Sequence, residues 1–106
     1  MAAFLVQFTY TEQGLKGLLK EGGTKRREAT EQLVKSLGGR LVAYYFSFGE
    51  KDGFAIIDGL ENVDATTVGL VVGASGAVRT KTTVLLTPEE VDKATKKSGT
   101  YRAPGQ

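Results

Sequence analysis

Apolar and polar positions alternate strictly at the start of the chain. From Phe4 to Thr11, Phe4, Val6, Phe8 and Tyr10 fall on one side and Leu5, Gln7, Thr9 and Thr11 on the other, the period-two signature of a β-strand. Between Glu12 and Leu37 the spacing becomes helical in two pieces, Leu15/Leu18/Leu19 and then Ala29/Leu33/Val34/Leu37, with Gly22-Gly23-Thr24 between them. This predicts a short turn of helix followed by a longer one, with Thr24 as a side-chain cap for the second piece and Gly38-Gly39 as its left-handed stop. Arg40 to Phe48 and Gly53 to Gly59 read as strands joined through the tight turn Gly49-Glu50-Lys51-Asp52, as in a hairpin. Asn62 to Ala74 places Val63, Ala65, Val68, Val71 and Val72 at helical spacing, against the weaker propensity of β-branched residues and Gly69. Ala77 to Leu86 alternates again, with Val78, Thr80, Thr82, Val84 and Leu86 opposite Arg79, Lys81, Thr83 and Leu85. Thr87-Pro88-Glu89-Glu90 then opens a last helix with a capping threonine, proline at the first helical position and the glutamate of a capping box. Periodicity is lost after Lys97-Ser98-Gly99, so residues 1–98 read as one domain and 99–106 as a flexible tail.

The order β-α-β-β-α-β with a terminal helix is the ferredoxin-like arrangement of the α+β class. Right-handed crossovers put both helices on one face of a four-stranded antiparallel sheet. If Val42, Tyr44, Phe46 and Phe48 point to the helices, Leu41, Ala43, Tyr45 and Ser47 point away, and both sets are largely apolar. Phe54 and Ile56 likewise oppose Ala55 and Ile57, and Leu5 opposes Phe4 and Val6. A sheet with one face in water alternates more cleanly than this, so the expectation is a symmetric dimer whose sheets pack face to face. The alternative cover is the helix from Pro88 to Lys97, whose Val91 and Ala94 suffice for only part of the face.

Composition narrows the chemistry. The chain has 106 residues, no cysteine, no histidine and a formal charge of +2. Disulfides, thiolate catalysis and iron–sulfur clusters are excluded, together with the commonest metal ligand and general base. No metal and no cofactor are expected, since the acidic residues never cluster at metal-ligand spacing. The N-terminus lacks a secretory pattern and no run approaches a membrane span, so the expectation is a cytoplasmic protein with no membrane partner. Nucleic acid is not an expected partner either. Lys51-Asp52-Gly53-Phe54-Ala55-Ile56-Ile57 echoes an RNA-recognition strand, but Ile56 and Asp58 stand where stacking aromatics belong and the acid repels phosphate.

The segment Phe8-Thr9-Tyr10-Thr11-Glu12-Gln13-Gly14, the pair Arg26-Arg27, the helix end Leu37-Gly38-Gly39, the turn Gly49-Glu50-Lys51-Asp52 and the run Gly76-Ala77-Val78-Arg79-Thr80-Lys81-Thr82 together resemble the GYD-domain family. The resemblance spans Phe4 to Leu86 and departs at Lys51, where the motif that names the family has Tyr before Asp. It implies small prokaryotic proteins of the dimeric α+β barrel type, and so a fold and a homodimer or higher homo-oligomer rather than a reaction.

Among the polar residues, Asp52 is the candidate catalytic position: its carboxylate either fixes the hairpin by accepting backbone amides or acts as a base near an apolar cavity. Arg79 and Lys81 share a strand face with Thr9 and Gln7 and form a candidate clamp for a carboxylate or phosphate, or else pair with Glu12 or Asp58. Tyr44 and Tyr45 point to opposite faces; one is core, and Tyr45 presents its hydroxyl at an interface or pocket. Lys25, Arg26 and Arg27 oppose the dipole at a helix start and read as a solvated cluster unless an anion sits nearby. Two functions fit. One is a homo-oligomeric protein that binds a small hydrophobic or anionic molecule, or a protein partner, between sheet and helices; the other is a cofactor-independent oxygenase or isomerase using Asp52, Arg79 and Tyr45.

Overall fold

A computed structural model describes residues 2–106. Its elements are β1 (Ala2–Tyr10), α1 (Glu12–Ser36), β2 (Arg40–Phe46), β3 (Gly53–Leu60), α2 (Asn62–Ala74), β4 (Val78–Leu85) and α3 (Pro88–Thr95). The strands form one antiparallel sheet in the order β2-β3-β1-β4, which confirms the ferredoxin-like α+β fold. β1 is central and hydrogen-bonded on both sides, so its alternation governs the whole sheet. Phe4, Val6, Phe8 and Tyr10 are buried under the helices, whereas Leu5, Gln7 and Thr9 lie on the opposite face.

The local signals explain most boundaries. Thr11 caps α1 by accepting the Gly14 N–H at 3.2 Å. Gly22, with φ 81° and ψ 172°, breaks the helix geometry and produces the division expected at the glycine pair. At the far end Gly38, with φ 90°, lets its own N–H reach the Lys35 carbonyl and the Gly39 N–H reach that of Val34, the paired bonds of a Schellman stop. Thr87 and Glu90 exchange side-chain and backbone bonds at 3.1 and 2.9 Å, completing the capping box of α3.

Two local readings are corrected. Val42 is not part of the packed core. The β2–β3 register shifts between Leu41 and Ala43, and a bulge of this kind reverses the parity of the strand. Leu41 therefore packs on the core beside Val34 and Leu60, Tyr44 and Phe46 join it further on, and Val42 is exposed. Phe48 lies beyond the strand, in left-handed conformation at φ 49°, exposed and stacked on Phe46 at 5.9 Å. The face of α1 is also rotated from the one its apolar spacing suggested. Val34 is fully buried with Leu33 and Leu37 around it, but Leu19 and Ala29 are exposed and Gly23, Arg26 and Thr30 turn partly inward.

α3 does not cover the open face of the sheet. All eight of its residues are exposed and it extends away from the sheet, giving overall dimensions of 57 × 33 × 22 Å. The radius of gyration, 17.0 Å, exceeds the roughly 13 Å of a compact chain of this length. The alternative in which Val91 and Ala94 shield the sheet is thereby overturned for this chain.

Close approach makes Gly14 stringent. A Cβ at Gly14 would run into the Ala77 carbonyl, which already accepts the Thr11 N–H at 2.9 Å, whereas a Cβ at Gly17 meets nothing within 4 Å. Gly14→Ala should cost about 1–3 kcal/mol in chemical denaturation by overpacking. Gly17→Ala should be neutral or stabilising by about 0.5–1 kcal/mol from helix propensity.

Candidate functional site

Two surfaces bear on function, one on each side of the sheet. The open side is built by alternation and register. Tyr45, Phe54, Gln7 and Lys81 form one row across all four strands, and Ala43, Ile56, Leu5 and Thr83 form the next. The centre is apolar, with Tyr45 and Phe54 in ring contact at 5.7 Å. Arg40 and Asp58 close one end through paired bonds of 3.2 and 2.8 Å, and the Arg40 guanidinium holds the Asp58 carboxyl below its usual range.

The residues expected to form a site reach this side but do not converge. Arg79 lies opposite Thr9 and Lys81 opposite Gln7, so those four do share a face as the alternation required. Arg79 and Lys81 are exposed and have no ion-pair partner among the described residues. Asp58 and Glu12, their expected partners, pair with Arg40 and Lys16 instead. Tyr45 is 61% exposed on the far edge strand, three strand spacings or roughly 14 Å from Lys81. Asp52 is elsewhere again. Its Oδ2 accepts the Tyr10 N–H at 2.8 Å, its N–H donates to the Phe8 carbonyl at 2.9 Å, and its carbonyl accepts from Ser47 at 2.9 Å. That carboxylate ties the hairpin to the end of β1.

The helix side holds the feature that sequence reasoning missed. Phe8 stacks on Tyr44 at 5.3 Å and meets Tyr10 and Phe46 edge-on at 5.7 and 6.0 Å. Beside this aromatic cluster lies a chamber of about 50 Å³ walled by Val6, Val34, Ile57, Val68 and Val72. Its polar groups are few: Arg26, Thr30, Tyr10, Tyr44 and Thr80. An open groove of about 380 Å³ runs from it between the start of α1 and the end of α2. Tyr10, Arg26, Val72 and Val78 line both spaces, so Arg26 and Tyr10 stand at their junction.

Electrostatics follow from this packing. Burial pushes the Tyr44 hydroxyl well above its ordinary pKa, and the neighbouring Tyr10 adds to the effect while Thr30 and Arg26 oppose it. Burial works against the Arg26 charge, yet bonds to Glu21 and Tyr10 leave its pKa raised. The Glu21 bond spans 3.1 Å, between two partly exposed side chains. The only trace of this in the sequence is the unfavourable placing of Arg26 near a helix start. Its inward turn depends on the Gly22 kink and on Gly23, where a Cβ would stand 2.9 Å from the Phe46 ring.

A four-stranded sheet with both helices on one side, a small apolar chamber beneath them and an open opposite face defines a ferredoxin-like α+β domain. The GYD domain matches residues 4–95, and the chain belongs to that family. No curated protein and no solved structure matches the chain.

Because Tyr44 keeps its proton in the folded chain, its contribution to stability is present below about pH 10, the ordinary tyrosine value, and is lost as pH rises above it, where only the unfolded chain ionises. Alkaline unfolding curves should show the wild type losing stability from pH 10 upward more steeply than Tyr44→Phe. Equal slopes would contradict the buried, protonated hydroxyl. Removing the Asp52 carboxylate in Asp52→Ala should cost about 1–3 kcal/mol, by leaving the Tyr10 amide without its acceptor.

Proposed function

We propose that this protein is a cytoplasmic homo-oligomer, at simplest a homodimer, that binds a small molecule between its sheet and helices. The observation that carries the assembly is the open sheet face: Leu5, Ile56, Phe54, Ala43 and Tyr45 form an apolar centre that no element among the described residues covers. Burying apolar area is the main favourable term in association, and a two-fold axis lets one patch serve as its own complement. Outward-facing Val63, Leu70 and Val71 on α2 offer a second apolar surface for a higher assembly. The ligand part rests on the chamber and groove around Arg26, Tyr10 and Tyr44, which combine apolar walls with a few converging polar groups, the usual make-up of a small-molecule site.

The enzyme reading has less behind it. An oxygenase or isomerase built on Asp52, Arg79 and Tyr45 needs those groups around one substrate, and they occupy a hairpin, one edge strand and the opposite edge strand.

Sedimentation at micromolar concentration should give a multiple of the 11.3 kDa chain mass. Ile56→Lys should shift the protein toward the single-chain mass while leaving the far-ultraviolet circular dichroism unchanged, since a desolvated charge at the centre of the face opposes association. A wild-type protein sedimenting as one chain would overturn the assembly.

A further inference from the structure

We infer that the ligand is a small carboxylic acid, its carboxylate held by Arg26 and Tyr10 at the junction of chamber and groove and its short apolar end seated in the chamber. This deepens the small-molecule reading above and rests on it. Apart from Arg26, Thr30 and Thr80 the chamber walls are aliphatic and aromatic, so away from Arg26 the chamber favours an uncharged group. Its 50 Å³ compares with the about 150 Å³ cavity that holds a benzene ring, which limits the inserted end to roughly a few carbons and leaves anything larger in the groove.

At the junction the chemistry changes. Arg26 presents a planar fork of donors matched to the two oxygens of a carboxylate, and the Tyr10 hydroxyl borders the same space. Arg26 already binds one carboxylate, that of Glu21 at 3.1 Å, five residues earlier across the Gly22 kink. Glu21 itself lines the groove and is partly exposed. It therefore acts as an internal stand-in for the ligand head group, which an incoming acid displaces or joins. Arg79 lines a separate space with Thr11, Gly69, Gly73 and Gly76, away from Arg26 and without aromatic walls, and Lys81 stands on the open face of the sheet.

The test is a nuclear magnetic resonance titration of the intact protein with butyrate and with its neutral isostere butyramide. Butyrate should perturb the Arg26 and Thr30 amides and bind at least about tenfold tighter than butyramide, the difference between a charge-assisted and a neutral pair. Arg26→Met should abolish that preference and Arg26→Lys restore part of it. Arg79→Met should leave it unchanged. Glu21→Gln should tighten butyrate binding by about two- to fivefold, since an exposed ion pair no longer competes; a purely structural Arg26 would show no such gain. Equal binding of butyrate and butyramide at these residues would overturn the acid while keeping the cavity as a small-molecule site. Failure of both to bind would overturn the two readings together.

Discussion

The strict alternation of β1 is the constraint on which the rest depends. Because this strand is hydrogen-bonded on both sides, each of its side chains fixes a row across the sheet. Phe4 and Val6 anchor the core with Val34, Ile57, Leu60 and Val68. Phe8 and Tyr10 organise the aromatic cluster and, through Tyr10, the junction beside Arg26. Leu5, Gln7 and Thr9 set the composition of the uncovered face. A slip of one residue would exchange the two sets and destroy core and site together.

The chamber arises from what α1 lacks. Its first half buries little besides Gly14, and the kink at Gly22 changes direction before Val34 seals the core. Between these points the helix lays Gly23, Arg26 and Thr30 over the aromatic cluster. A continuous amphipathic helix with leucine at those positions would fill the space. Stability and cavity are thus divided along one helix, the sealed end beside Val34 and the open end beside Arg26.

The two faces of the sheet have complementary roles. On the helix side the chain supplies its own cover and leaves only a small void; on the other the described residues supply none. α3 would be the natural lid, yet its polar sequence gives it little apolar area to bury and it stands clear of the sheet. The unmatched face is why assembly belongs with binding in the function proposed here.

Element order, the glycine stop after Leu37, the capping box at Thr87 and the two-faced character of the sheet were all legible in the sequence, because each is set by neighbours along the chain: alternation, a glycine pair, a threonine three residues before a glutamate. The placing of Thr9, Gln7, Arg79 and Lys81 on one face followed for the same reason. What the tertiary structure decided was long-range. The bulge at Leu41–Ala43 left Val42 exposed, the Asp52 carboxylate took the Tyr10 N–H and tied the hairpin to the end of β1, and three strand widths separated Tyr45 from Lys81. Above all, the kink at Gly22 rotated Arg26 from a solvated cluster into the mouth of a chamber, and only the contact of α1 with Phe46, Tyr44 and Tyr10 fixes that rotation.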